Sequence, residues 1–414
     1  MSFASKTRSA RPLAALLLSL LPVLAAAQTE VWLGVTKSGA ERIPIGVRPI
    51  GGDDKLASIV EETLRHDLAI AGFFEMIPWM SDDTLRSRAV AHGSVDAEGG
   101  LFEGILDQSG GRRIASNRYD LENGPREAAH RFADDVIFHL TGEKGISRTE
   151  IVFSRSNGRS SDLYVVDWDG SNARRLLSNG SLNLTPRWAP DSGKILYVSY
   201  VSGDPDIYWI DSRGGAGGSV VQSVGLASAP AWSPDGKRIA FSMSREGNSE
   251  IHVMDRSGGN LRRLTYHDGI DTSPTWAPNG RQIAFTSDRS GRPQIYRMND
   301  DGSDVARLTF SGGYNASPKW SPLGDRIVYV SREEGGFQIR VLDLTDQESY
   351  LLTLGSGSNE DPDWSPDGRH IVFSSSRTGH RRLYAMLADG SDVRLLVSGD
   401  GDDYSPSWSP RPGS

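Results

Sequence analysis

The sequence predicts a small α/β domain followed by a closed, six-bladed all-β propeller, and three ladders of residues carry that prediction. Trp188, Trp232, Trp276, Trp320, Trp364 and Trp408 stand at a constant spacing of 44 residues. Ile151, Ile195, Ile239, Ile283, Ile327 and Ile371 repeat at the same step, each opening an apolar alternation such as Ile239-Ala240-Phe241. Leu163, Ile207, Ile251, Ile295, Ile339 and Leu383 form the third ladder. Three ladders in register mean one unit copied six times. Short β-like runs between Gly, Pro and Asp turns, at a period of roughly 40 to 45 residues, describe a four-stranded propeller blade. A helical solenoid of similar period needs long apolar stripes at 3.6 spacing, and the repeats have none.

The ladders also predict how the ring closes. Each Ile follows its Trp by seven residues, yet Lys144 stands seven before Ile151, and the Trp408 copy reaches Ser414 without its Ile. The half repeat at each end completes the other. The Trp408 strand is therefore expected to pair with the Ile151 strand in one shared blade, which leaves no unpaired sheet edge. One unit can be written out in full. Pro230-Ala231-Trp232 is the first strand and Ser233-Pro234-Asp235-Gly236 a turn with Pro second and Gly fourth, as a type I turn favours. Arg238 to Ser244, Ile251 to Asp255 and Leu261 to Thr265 follow as the second, third and fourth strands. The propeller is placed over 146–414. The Trp ladder is read as blade packing, since a buried Trp removes about 150 to 250 Å² from water.

Before the repeats, Glu41 to about Gly145 carries a different pattern. Ile43 to Ile50 is strand-like, and Asp53 to Ala71 is an amphipathic helix with Leu56, Ile59, Val60, Leu64 and Leu68 on one face. Strand-like segments follow at Ala89 to Val95, Leu101 to Asp107 and Arg113 to Tyr119. Pro125 opens a second helix with Ala128, Ala129, Phe132, Val136 and Leu140 as its buried stripe. Residues 41–145 are thus expected to form the separate α/β domain.

The first residues read as an address. Lys6, Arg8 and Arg11 precede an apolar run from Leu13 to Leu24 and then Ala25-Ala26-Ala27, the pattern of a secretory signal peptide over 1–27. The run is too short for the roughly 20 residues that span a bilayer. Residues 28–40 hold one apolar cluster, Val31, Trp32, Leu33 and Val35, and are expected to be a mobile or docking strand. The chain has no cysteine, which excludes disulfides and thiol chemistry. Without the three signal-peptide cations the formal net charge moves from -8 to -11. Nucleic acid, which requires a basic stripe, is an unsuitable partner.

Catalytic patterns are weak. No G-x-S-x-G elbow occurs, Gly355-Ser356-Gly357-Ser358-Asn359 failing at its third and fifth places. The eight histidines show no H-x-x-x-H or H-E-x-x-H spacing for zinc. Acidic residues do gather before the Trp strands, at Asp271, Glu360, Asp361, Asp402 and Asp403. At one mouth of the channel such carboxylates suit a basic partner surface or a cation such as calcium, and a solvated rim is the plain alternative.

The order of signal peptide, short free strand, α/β domain and propeller of W-S-P-D-G repeats resembles the TolB family, the periplasmic component of the Tol-Pal envelope system. The turns Trp232-Ser233-Pro234-Asp235-Gly236-Lys237 and Trp364-Ser365-Pro366-Asp367-Gly368-Arg369 carry the resemblance, together with the stretch from Ala284 to Tyr296. It implies a periplasmic, non-catalytic and monomeric adaptor that supports outer-membrane integrity and constriction during cell division. The implied partners are the Pal lipoprotein at the propeller mouth, TolA at the mature N-terminal segment, and other outer-membrane lipoproteins or porins. Carried onto this chain, the Pal-facing loops include Leu226, Ala229, Asp271, Thr272, Ser273 and Asp361, and the TolA-facing residues are Val31, Trp32, Leu33 and Val35. Leu226 stands where the family is expected to have histidine, and the stretch from Trp79 to Arg88 is shorter than the family's connection. A secreted propeller enzyme or carbohydrate-binding protein is the alternative, with the channel mouth as its pocket.

Overall fold

A computed structural model describes residues 41–79, 87–221, 225–355 and 357–413. The expected signal peptide and docking segment, with Val31, Trp32, Leu33 and Val35, lie outside the described residues.

Asp53 caps the first helix of the small domain, α1 (Asp54–Ile70), by accepting a 2.9 Å hydrogen bond from the Leu56 N–H, which satisfies one of the free donors at a helix start. Its inward stripe is Val60, Leu64 and Leu68, and it also includes two polar residues, Thr63 and Asp67. The second helix, α2 (Pro125–Thr141), starts with Pro at its first turn and ends on Gly142, whose φ of 76° returns its N–H to the Phe138 carbonyl at 2.8 Å. Both helices contribute to one core with a mixed sheet. In that sheet Ile43–Val47 lies parallel to both Phe74–Ile77 and Ala89–Asp96, and Leu101–Gln108 and Arg113–Asp120 extend it antiparallel. Phe74–Ile77 is the one main strand that the sequence pattern does not announce; four residues following the helix are too few to show an alternation.

Six four-stranded sheets make up the propeller. The first blade is shared as expected: Asp402–Trp408 pairs with Glu150–Ser156, with Trp408 opposite Ile151. In the third blade the expected strands appear with shifted ends. The first is Ala227–Trp232, the second Arg238–Glu246 and the third Asn248–Asp255, while the fourth shrinks to Arg262–Arg263. The turn between the first two closes as a Gly236 N–H to Ser233 carbonyl bond of 2.9 Å, with Asp235 accepting from the Ser233 hydroxyl at 2.6 Å and the Lys237 N–H at 3.1 Å. Gly236 has φ of 65°, the left-handed region where glycine carries no steric cost.

Neighbouring blades are joined by shared apolar faces and, at some of the junctions, by polar stitches of two kinds. Apolar faces interlock, so that Ala240 and Val253 of the third blade share a cluster with Trp276, Phe285 and Tyr296 of the fourth. Two of the indole N–H groups stitch inner strands together. Trp276 donates to the Ala231 carbonyl at 3.3 Å and Trp364 to the Lys319 carbonyl at 3.0 Å, each reaching one blade back. Near the opposite end a buried amide knot does the same. Gln338 accepts from Thr353 of its own blade and from Asn359 of the next, both at 2.8 Å, and Gln294 does so with Thr309 and Asn315. Every polar atom so used escapes the cost of being buried without a partner.

The small domain rests on the first and sixth blades, and its core runs without a break into Phe153, Trp168, Leu383 and Leu396 of the propeller. The polar contacts here are charged. Asp67 of α1 accepts from the Trp168 indole at 3.0 Å and lies 2.6 Å from His130 Nδ1 of α2. Arg126 pairs with Asp169, Arg369 lies 3.9 Å over the Phe73 ring, and His370 Nε2 is 3.0 Å from the Ile70 carbonyl.

Candidate functional site

Every inner strand breaks at the same place. Thr185, Ala229, Ser273, Ser317, Asp361 and Ser405 all have positive φ, between 47° and 56°, and each is followed by proline. The pairing register shifts at each of these points. Proline has no N–H to give the ladder and pushes the preceding residue out of the right-handed helical region, so the strand bulges. Six bulges in a ring pinch the channel into a throat of about 60 Å³ lined by these small side chains. Beyond the throat, at the other end, the channel opens into a bowl of about 660 Å³ walled by the six tryptophans and the prolines after them. Arg187 and Lys319 line both cavities.

The residues expected at the mouth separate into two groups. Ala229, Ser273 and Asp361 line the throat. Thr272 sits beside them, its hydroxyl 3.2 Å from that of Ser242, and Leu226 is 54% exposed on the loop before its strand. Asp271 is different. It has no exposed surface and pairs with Arg289 at 2.6 Å, because it opens the strand on the inward side of the alternation. Burial, and then the charge of Glu250, hold its carboxyl above the usual range against the hydrogen bonds and Arg289 that lower it. Asp403 is equally enclosed and pairs with Arg155 at 2.6 Å, and Glu360 pairs with Arg381. The expected ring of carboxylates for calcium is therefore not assembled among the described residues: Asp271, Asp403 and Glu360 are met by arginines, and Asp361 accepts from the Ser405 N–H. Among the described residues the one triad whose ligand atoms converge is Asp67, His130 and Asp169, at the junction with the small domain, and there too the acids already face Arg126 and the Trp168 N–H.

The same face holds a feature that the sequence reading missed. Tyr266, Phe310 and Leu354 follow the fourth strands of three consecutive blades and are 74%, 74% and 82% exposed. Ile270, the counterpart of Leu226 one blade on, is 51% exposed. These five residues draw an apolar arc around the mouth. Their signal was available, since Tyr266, Phe310 and Leu354 are themselves a ladder of 44. Exposed apolar side chains recurring on one face are a mark of interaction sites on folded proteins, and here the Tyr266 and Phe310 rings also lie under the Arg263 and Arg307 guanidiniums.

A mixed α/β domain docked on a six-bladed propeller, with exposed apolar side chains around one mouth, defines a class of ring-shaped platforms. A sequence profile for the TolB beta propeller domain matches residues 138–412, and the chain belongs to that family. Tol-Pal system proteins TolB from Dechloromonas aromatica and Geobacter sulfurreducens are similar to it. They are 35% identical over 197 residues and 39% over 210 residues, covering 43% and 44% of this chain and 46% and 48% of theirs. The chain thus matches about half the length of these relatives. The similarity in space is broader. The crystal structure of TolB from Acinetobacter baumannii superposes with a TM-score of 0.80 at 29% identity, covering 90% of this chain and 98% of that one. No helix among the described residues is long and apolar enough to cross a membrane.

Proposed function

We propose that this protein is a non-catalytic adaptor of the Tol-Pal system in the periplasm, holding a Pal-like lipoprotein domain against its propeller mouth and a TolA-like partner through residues 28–40. The apolar arc of Leu226, Tyr266, Ile270, Phe310 and Leu354 is the observation that carries the reading. It supplies desolvatable anchors on the rim, while Thr272, Ser273 and Asp361, beside the small Ala229, supply the polar centre. In this reading the platform stays rigid, its bulged inner strands fixing the mouth, and the N-terminal segment acts as the separable second contact. Together the two contacts link an outer-membrane lipoprotein to an inner-membrane machine, which is the task of maintaining the envelope during constriction.

Calorimetric titration with the soluble domain of the Pal-like lipoprotein from the same cell tests the mouth. Phe310→Glu and Tyr266→Glu are expected to weaken binding at least about tenfold each, and Thr272→Arg and Ala229→Glu to act in the same direction with melting temperatures little changed. Unchanged affinity in all four moves the contact to another face. Deleting residues 28–37 is expected to abolish binding of the TolA-like partner and to leave the melting temperature in place; retained binding refutes that half of the proposal.

A further inference from the structure

The residue immediately before each Trp faces the channel, and the six positions read Arg187, Ala231, Thr275, Lys319, Asp363 and Ser407. Two of them are cations three blades apart, and so across the axis from one another. Among the described residues no carboxylate lies within ion-pair range of either. Arg187 uses Nη1 on the carbonyls of Pro186 at 3.0 Å and Pro406 at 3.2 Å; among the described residues its other N–H groups and the Lys319 ammonium have no side-chain or backbone acceptor. The two nearby acids are engaged elsewhere: Asp363 accepts from the Trp408 N–H at 2.9 Å, and Asp361 from the Ser405 N–H at 3.1 Å. Thr185 adds a buried hydroxyl without a partner on the wall of the same throat.

We propose that the throat is a binding site for a small oxyanion, held between Arg187 and Lys319 with the Thr185 hydroxyl as a third donor. Cations that face one another in a confined space without an ion-pair partner repel, Asp363 and Asp361 on the walls of the same cavities offset this only in part, and an anion between them relieves both the repulsion and the loss of water. The effect is already visible on Lys319: burial, and then the charge of Arg187, push its ammonium down to about 7, against the weaker opposing pull of Asp363 and Asp361. The bowl gives the anion a route of approach that avoids the apolar arc. It is wide enough to admit the body of a larger molecule whose terminal carboxylate reaches the cations. Free phosphate and a peptide C-terminus therefore share the chemistry that the site selects.

The experiment titrates the full chain with inorganic phosphate, with an N-acetylated dipeptide acid, and with the same dipeptide as its C-terminal amide, in an otherwise anion-poor buffer. One-to-one binding is expected for phosphate or for the acid and not for the amide. Phosphate alone identifies a free ion, and the acid alone identifies a chain terminus. In Lys319→Met and in Arg187→Met the affinity is expected to fall at least about tenfold, with the unliganded melting temperature not lowered in Lys319→Met because a neutral side chain replaces an unpaired cation. Should either variant misfold, the resonance of the Lys319 ammonium in the parent chain serves instead, its pKa rising when the anion binds. Failure of both anions to bind, equal binding of the amide, or unaltered affinity in folded variants overturns the proposal.

Discussion

The junctions between blades and the junction between the small domain and the propeller solve the same problem with different chemistry. Blade meets blade mainly through shared apolar faces, with neutral amide knots at two of the junctions, as at Gln338 with Thr353 and Asn359, and ion pairs such as Arg238 with Asp300 nearer the surface. The small domain meets blades one and six only once, and it does so with charge: Asp67 against His130 and Trp168, Arg126 against Asp169. A neutral knot keeps its strength across the pH range. A buried ionic one does not, since its partners gain or lose protons and each leaves an expensive orphan when the other is removed. The difference implies that the ring is built to be permanent and the small domain to be held conditionally.

The largest expected effect comes from breaking the ring rather than the junction. Deleting residues 402–413 removes the strand that pairs with Glu150–Ser156 and exposes a sheet edge, so the chain is expected to lose cooperative unfolding and to aggregate. A thermal scan that matches the full chain refutes closure as a source of stability. Next in size is Trp168→Ala at the junction. Trp168 is fully enclosed and bonded to Asp67, and its loss is expected to cost about 3–5 kcal/mol, with calorimetry separating a small-domain transition from that of the propeller. A single transition would show that the two units remain one cooperative block.

Gln338→Ala tests a blade knot in isolation. It strands the Thr353 hydroxyl and the Asn359 amide, for an expected loss of about 1–3 kcal/mol that does not vary between pH 6 and 8. The ionic junction is expected to vary. Burial raises the Asp67 carboxyl to about 6, only partly offset by His130. His130 itself is lowered by burial, but the bond and charge of Asp67 outweigh this and raise it above its ordinary 6.5. Both folded-state pKa values lie above the unfolded ones, so their stabilising contribution is complete at low pH. It is lost as pH rises through about 6 for Asp67 and above 6.5 for His130. Raising the pH from 6 to 8 should therefore lower the small-domain transition, and His130→Gln, which removes one titrating group and frees Asp67 to rise further, should change that slope; an equal slope in the variant refutes the assignment. The smallest effect is expected at the throat. Ala229 has φ of 49°, so Ala229→Gly relieves strain of about 1 kcal/mol while loosening the unfolded chain by a similar amount. A melting temperature within a degree or two is expected.

Much of this contrast could be read in the sequence, though not evenly. The blades and their closure were visible because a period of 44 repeats each packing solution six times, and repetition separates signal from local noise. Asp67 and His130 occur once. On a helical stripe otherwise made of Val60, Leu64 and Leu68, an aspartate looks like a solvent position, and only its contact with Trp168, 101 residues away, gives it a role. Asp271 and Asp403 are hard to place for a related reason: lying next to the mouth in sequence does not make a residue exposed, and the alternation of the strand turns both inward. The channel cations were hidden by the same Trp ladder that revealed the fold, since which neighbour of a tryptophan faces the axis depends on the bulge between them. Tyr266, Phe310 and Leu354 were legible by period alone.

The shared blade also sets a timetable for the molecule. Trp408 donates to Thr149 across 259 residues of chain, a separation that makes this one of the last contacts formed whenever folding starts before synthesis ends. Until the final strand arrives, five blades stand complete beside one that is missing its inner edge, and the throat that it helps to encircle is open along one side. A chain without the Asp402–Trp408 strand therefore cannot encircle the throat, and its first blade keeps an open sheet edge. Closing the ring and completing the throat are one event.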